Sequence, residues 1–368
     1  MNRPEPTPIR ILPGDPAPWF HAPTASNPKY NFASVGGRYV LLVFPGPAAQ
    51  PVLAPALRAI LDARAEGLLD DLNAAAFIVS VDADPAAAPP DAIPGLRVLF
   101  DRNLAISRAY GVARPGRDGG VDYGPQAFLL DPLLRVISVA PASQVAAMIA
   151  QLRHLPPAAL HAGQETPAPV LLLPRVFEPG FCQSLVALYE SQGGTESGFM
   201  VEQDGRTVGV HDHGMKRRRD LVIEDAAAQA GIRARIGRRL VPEIRKAFQF
   251  HVTRIERYIV ACYDAAEGGH FRAHRDNTTP GTAHRRFAVT INLNDDFDGG
   301  ELWFPEFGPR RYRPPMGGAV VFSCSLLHEA TPVTRGLRFA TLPFLYDDAA
   351  AAQREAAMGG VPAEATAA

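Results

Sequence analysis

Apolar residues along this chain follow two rhythms, and the change between them falls near the middle. Over residues 1–154, apolar runs at Tyr39–Phe44, Ala76–Val81, Val98–Phe100 and Ala127–Leu130 alternate with helical stretches such as Leu53–Ala65. Unbroken apolar runs of this length read as strands buried on both faces, with helices covering the sheet. The pattern predicts an α/β domain. Next, LPPAALHAGQETPAPV sets prolines among small and polar residues and predicts a linker over 155–169. Over 170–348, helices at Pro179–Ser191 and Ala226–Phe250 precede β-rich runs at Arg254–Tyr263, Arg285–Asn294, Glu301–Phe304, Gly317–Ser323 and Gly336–Tyr346. Helices followed by short strands predict a sandwich or barrel with helical buttresses. Residues 349–368 carry no apolar stripe beyond a short helical segment and predict a flexible tail. No internal repeat of fixed period is present.

Charge narrows the partners. The 37 Lys and Arg residues nearly balance 38 Asp and Glu. No global field therefore favours nucleic acid or an anionic membrane. The first residues lack an apolar core of the signal-peptide kind, and no apolar run is long enough to span a bilayer, so a soluble, cytoplasmic protein is expected. Cys182, Cys262 and Cys324 are too few for a disulfide framework and form no CxxC pair.

The chemical signal lies in HFRAHRDN, where His274 and Asp276 stand two residues apart and share a face if the segment is extended. His328 follows in SCSLLHEATPV. Two histidines and one carboxylate can bind iron on one face and leave coordination positions open. An HxD pair alone is common on solvated loops. Its context is stronger, because Arg338 lies ten residues after His328 in the alternating strand pattern GLRFATLPF. A guanidinium held in a barrel can clamp a carboxylate through two parallel hydrogen bonds.

With these residues in view, Val170–Asp348 resembles the prolyl-4-hydroxylase-like branch of the Fe(II)/2-oxoglutarate dioxygenases. The resemblance runs through VLLLPRVFEPGFCQSLVAL, CYDAAEGGHFRAHRD, FAVTINLNDDFDGGELWFP and PPMGGAVVFSCSLLHEATPVTRGLRFATLPF. It implies a double-stranded β-helix, or jelly roll, with supporting helices. It implies Fe(II) held by His274, Asp276 and His328, with 2-oxoglutarate and O2 as co-substrates and ascorbate as a reductant. Arg338 falls on the residue that takes the far carboxylate of 2-oxoglutarate. Tyr263 falls near a tyrosine that helps to bind it, although the stretch from Tyr263 to His274 is slightly longer than the family's spacing. The reaction implied is hydroxylation of a C–H bond coupled to decarboxylation of 2-oxoglutarate to succinate and CO2. A peptidyl-proline or amino-acid-like substrate heads the expectations. The alternatives are a small-metabolite tailoring oxygenase and a non-catalytic 2-oxoglutarate-sensing module.

Thr290 and Asn292 alternate along one strand and are candidates for the co-substrate side of the site. His270 and His284 read as solvated loop histidines, and VHDHG, with His211 and His213, lacks a third ligand at a suitable spacing. The basic run Lys216–Asp220 reads as a solvated helix entry. Trp303 reads as a core residue, and Cys262 and Cys324 as small buried hydrophobes.

Residues 11–141 resemble, more loosely, the peroxiredoxin and thioredoxin-like proteins, through GDPAPWFHAPT, GRYVLLVFPG, FIVSVDAD, FDRNLAISRAYGV and PQAFLLDPLLRVISV. Where that family carries its peroxidatic cysteine, this chain reads PGPAAQPVLAP, with Val52 or Leu53 at the position. Thiolate-based peroxide reduction is thereby excluded for the domain. Pro125 matches the place of a cis-proline. The roles this leaves are a scaffold, a homodimer surface or a docking site for a protein substrate.

Overall fold

The structure is a computed structural model that describes residues 10–116, 119–203 and 205–357. Two compact units emerge, one built from residues up to Pro167 together with Pro305–Pro309, the other from Ala168–Phe304 and from Arg310 onward.

The first unit is organised on a five-stranded sheet. Its order is Leu96–Phe100, Ala74–Ser80, Tyr39–Phe44, Gln126–Leu130, Val136–Pro141. The first three strands run parallel and the last two antiparallel. Every residue of Tyr39–Phe44 is buried, because alternate side chains enter different cores. Val40, Leu42 and Phe44 pack with Phe32 and Tyr110. Tyr39, Leu41 and Val43 pack with Ile60 and Ala63 of the Leu53–Ala65 helix and with Met148 and Ile149 of the Val145–Arg153 helix. The α/β class read from the apolar runs is the class observed. Pro125 does not match the cis-proline expectation: the one cis peptide bond among the described residues is Ile93–Pro94.

The second unit is built on two larger antiparallel sheets, beside which Phe199–Gln203 pairs with Arg206–Val210 and Asp298–Gly299 with Val333–Arg335. The larger has nine strands and runs through Leu171–Leu173, Ala319–Ser323, Phe287–Asn292, Leu337–Thr341, Ile259–Asp264, Arg219–Val222 and Thr195–Glu196, with Arg254–Glu256 and Phe344–Tyr346 joined beside it. The smaller has five strands, ordered Lys216–Arg217, His270–His274, His328–Ala330, Leu302–Trp303, Arg311–Tyr312. Helices Pro179–Gln192, Ala226–Arg235 and Val241–Phe248 cover the outer face of the larger sheet. Leu185, Ile232 and Ile244 from them pack against Val260, Cys262, Val289, Ile291 and Phe339.

Several elements are shorter than their apolar patterns predict, for local reasons. The run Ala226–Phe250 widens into a π turn over Ile236–Leu240, just ahead of Pro242, which has no amide hydrogen to donate and whose ring crowds the preceding turn. The run Arg254–Tyr263 breaks at Arg257, whose φ is +68°. Gly336–Tyr346 divides into Leu337–Thr341 and Phe344–Tyr346 around Pro343, which cannot donate to a ladder. The expected flexible tail is helical at its start, over Asp348–Ala357, where Asp347 Oδ1 accepts from the Ala350 amide and Ala350 is buried. Residues 358–368 of that expected tail lie outside the described residues.

Candidate metal centre

Period-two alternation decides which residues reach the space between the two sheets. On Phe287–Asn292, Val289 and Ile291 belong to the helix-side core, so the alternate positions Ala288, Thr290 and Asn292 point the other way. On Ile259–Asp264, Val260 and Cys262 face the helices, and Tyr263 faces inward with Ile259 and Ala261. On Leu337–Thr341, Phe339 faces the helices and Arg338 lines the inner cavity. The smaller sheet closes the other side with Phe271, His274, Leu302, His328 and Ala330.

His274 and His328 are paired across neighbouring strands, and the ladder shifts register between Phe271 and His274. This bulge puts Phe271 and His274 on one face, their rings stacked with centroids 3.5 Å apart. Asp276 follows the strand end, where its amide donates to the Cys324 carbonyl at 3.0 Å. One carboxylate oxygen lies 3.5 Å from His274 Nε2 and the other 3.3 Å from His328 Nε2. The three ligand-capable atoms lie within 4.8 Å of one another, and this is the only such cluster among the described residues.

Hydrogen bonding sets the histidine tautomers. His274 Nδ1 stands 2.7 Å from the Arg272 carbonyl, and His328 Nδ1 stands 3.0 Å from the Leu326 carbonyl. A carbonyl oxygen only accepts, so each Nδ1 carries the proton and each Nε2 turns a lone pair toward Asp276. Burial, reinforced by His274, lowers the His328 pKa to about 4, so it is neutral at pH 7. Burial would raise Asp276, but the facing His328 and His274 hold it below the usual carboxylate range. Two lone pairs and one carboxylate thus converge with no donor between them. The donor set fits a divalent cation such as Fe(II).

Arg338 is 2% exposed. Its Nε and Nη2 donate to Asn292 Oδ1 at 3.3 and 3.2 Å, and Asn292 Nδ2 donates to the Pro314 carbonyl at 2.8 Å. Asn292 therefore orients the guanidinium without neutralising it. Tyr263 stands opposite Arg338 in the ladder, with its ring centroid 5.1 Å from the guanidinium carbon. Gly300, with φ +67°, leaves room for this side chain: a Cβ there would stand 2.8 Å from Arg338 Cδ. Thr290 lines the same cavity. All seven residues singled out in the sequence, His274, Asp276, His328, Arg338, Tyr263, Thr290 and Asn292, thus gather at one place, Asn292 through its bond to Arg338.

Other expectations are corrected. Lys216–Asp220 is no solvated helix entry but parts of two strands, Lys216–Arg217 and Arg219–Val222, joined by Arg218, and Lys216 and Arg218 are each 5% exposed. Arg218 reaches the cavity, pairing with both Asp220 oxygens at 2.7 and 2.6 Å and approaching the Tyr263 hydroxyl at 3.3 Å. Tyrosine and acid partners allow such burial where a sequence pattern suggests solvent. His270 is a buried strand residue whose Nδ1 bonds the Gly268 carbonyl. His284 is 1% exposed and bonds Glu256 at 2.7 Å, beside the Glu256–Arg285 pair. His213 pairs with Glu196 on the surface, away from the cluster. Trp303 is half-buried under Arg311, whose guanidinium carbon is 4.1 Å from its ring. Sequence reasoning missed Arg257 and Arg218 as cavity residues. The inward half of the Arg218–Asp220 alternation was the available signal for Arg218, and Arg257 offered none.

Residues 258–346 match the family model of the 2OG-Fe(II) oxygenase superfamily. That stretch contains the triad, Arg338, Tyr263, Thr290 and Asn292. A PKHD-type hydroxylase of Cupriavidus metallidurans is 36% identical over 96 residues, 23% of this chain and 42% of that protein. One from Synechococcus is 30% identical over 98 residues, 25% of this chain and 43% of that protein. The chain thus spans less than half the length of these relatives. Among solved structures, a prolyl hydroxylase of Trichoplax adhaerens in complex with a hypoxia inducible factor peptide fragment aligns at 17% identity and TM-score 0.38, over 50% of this chain and 86% of that one. A peroxidoxin of Mycobacterium tuberculosis aligns at 17% identity and TM-score 0.34, over 40% of this chain and 99% of that one.

Proposed function

We propose that the second unit is an Fe(II)- and 2-oxoglutarate-dependent dioxygenase that hydroxylates an unactivated C–H bond and converts 2-oxoglutarate to succinate and CO2. The observation that carries this reading is the pairing of a donor-free convergence of His274, Asp276 and His328 with a buried cation, Arg338, that has no acidic partner among the described residues. We read the two facing sheets as a double-stranded β-helix, residues 155–169 as a linker, and 170–348 as the catalytic domain. Fe(II), when bound, supplies O2 activation coupled to oxidative decarboxylation of the 2-oxo acid.

The chain's own residues do the positioning. His274 and His328 offer Nε2 lone pairs and keep their tautomer through the Arg272 and Leu326 carbonyls. Asp276 supplies the negative charge. Arg338 takes the far carboxylate of 2-oxoglutarate through charge-assisted hydrogen bonds, and Asn292 holds the guanidinium to that task. Tyr263 and Thr290 add hydroxyl groups along the same wall. Phe271, Leu302 and Phe322 line the cavity and limit water around the metal. The first unit supplies no nucleophilic thiol: Val52 and Leu53 begin the helix after Tyr39–Phe44, and every cysteine lies in the second unit. Its proposed role is to hold a partner, whether a second copy or a protein substrate.

Anaerobic addition of Fe(II) and 2-oxoglutarate should produce a visible charge-transfer band. Admission of O2, with ascorbate keeping the iron reduced, should then yield succinate. His274→Ala should abolish both signals. A native protein without the band, or unchanged succinate formation in His274→Ala, would sink the reading.

A further inference from the structure

The cavity around the triad contains one acid, Asp276, and three arginines, Arg218, Arg257 and Arg338. Arg218 is neutralised by Asp220. Arg338 is assigned to the co-substrate. Arg257 remains.

No acid among the described residues forms an ion pair with it, and Asp220 and Glu256 act on it only through space. Nη2 donates to the Leu342 carbonyl at 3.3 Å, the guanidinium carbon lies 4.8 Å from the Phe344 ring centroid, and Nε is enclosed without a hydrogen-bond partner. The neighbouring acids are already engaged. Asp220 is held by Arg218, and Glu256, next in sequence, is held by Arg285 at 2.6 Å and by His284 at 2.7 Å. The backbone makes the placement costlier still, since Arg257 sits at φ +68°, a left-handed conformation that a side-chain-bearing residue rarely adopts. Burial, followed by repulsion from Arg218, lowers its pKa to about 10, which still leaves it charged at neutral pH. A half-buried guanidinium without an ion pair, its Nε enclosed and its backbone strained, opposes folding unless a ligand completes it.

We propose that Arg257 forms a second anion subsite in the cavity, separate from Arg338, and that the substrate brought to the metal carries a carboxylate that this arginine binds. The inference rests on the oxygenase reading, because it takes Arg338 as occupied by 2-oxoglutarate. A guanidinium presents two parallel donors to a carboxylate, whereas a neutral amide accepts at one oxygen only. The carboxylate can belong to a free small acid or to a chain terminus, and an internal peptide segment lacks it.

The test is binding, not turnover. Full-length protein is loaded with Mn(II) and saturating 2-oxoglutarate, and paramagnetic relaxation of acetate, acetamide and triglycine carboxylate signals is measured. Acetate should relax in the unaltered protein and acetamide should not. Arg257→Met should weaken acetate binding by ~10-fold or more, and Arg257→Lys should keep part of it. Persistence of the Fe(II)–2-oxoglutarate band in Arg257→Met shows that the variant is folded and that Arg338 is intact. Relaxation of acetate alone assigns a small acid as the source, and relaxation of triglycine as well extends the source to a chain terminus. No relaxation of either carboxylate, or relaxation undiminished in Arg257→Met, overturns the subsite. Absence of the Fe(II)–2-oxoglutarate band in the unaltered protein would instead overturn the oxygenase reading beneath it.

Discussion

Each buried charge in or beside the cavity has its own consequence. Arg338 lies at 2% exposure, and among the described residues it hydrogen-bonds a neutral amide and no acid, which leaves its charge available to a carboxylate. Hydrogen bonds to charged groups contribute about 1.5–3 kcal/mol, so Arg338→Met should raise the KM for 2-oxoglutarate ~10- to 100-fold with the metal affinity little changed. Lys216 is different in kind. Its amino group donates to Ser197 Oγ at 2.8 Å and to the Gly198 carbonyl at 2.6 Å, and lies 4.9 Å from the Phe271 ring, with no acid bonded to it among the described residues. Burial, then Arg218, lowers its pKa from 10.5 to about 6. Between those values the unfolded chain holds a proton on Lys216 that the folded chain does not. Unfolding free energy should therefore rise with pH across that window through this group, by up to ~1.4 kcal/mol per pH unit, and the contribution is constant below about pH 6. Denaturant titrations from pH 6 to 10 should show this slope flattened in Lys216→Met, and an identical slope in the two proteins would refute the assignment.

Among elements, the strand pair Leu337–Thr341 and Ile259–Asp264 and Gly300, just after the short strand Asp298–Gly299, act together. Register puts Tyr263 opposite Arg338, while Gly300 at φ +67° keeps a Cβ out of the path of the arginine stem. Gly300→Ala should therefore act twice, through backbone strain of about 1–2 kcal/mol and by displacing Arg338. The expected result is a lower melting temperature together with weaker 2-oxoglutarate binding by titration of the charge-transfer band. A change in stability with unaltered 2-oxoglutarate affinity would show that the stem does not need the space. The bulge between Phe271 and His274 has the same logic, since it stacks a ring on His274 instead of sending it to the opposite face.

Taken as a whole, the chain separates its potential reactivities. Cys182, Cys262 and Cys324 are free and buried, all in the helix-and-sheet unit, and burial pushes the first two thiols up to about 11 and the third well above its ordinary value. Thiolate is the reactive form, so the folded protein should resist an aromatic disulfide reagent over minutes, and denaturant should release all three thiols. Rapid modification of the native protein would contradict the burial. No helix among the described residues is long and apolar enough to cross a membrane.

What the sequence determined by itself was whatever depends on local period and on residue type. Unbroken apolar runs specified the α/β class of the first unit. HxD, the later histidine and an arginine on an alternating strand picked out side chains that the fold brings to one cavity, because alternation on a strand assigns a face before any fold is known. Only the tertiary structure decided the fate of charges whose partners are distant in sequence. KRRRD reads as solvent-facing, yet Arg218 is buried because Asp220 and Tyr263 meet it. His284 is buried because Glu256, 28 residues earlier, bonds its ring. Arg257 is revealed as a cation without an ion pair only when Asp220 and Glu256 are seen to be held by Arg218 and Arg285. Burial and charge compensation are properties of what surrounds a side chain, and long-range pairing supplies those surroundings.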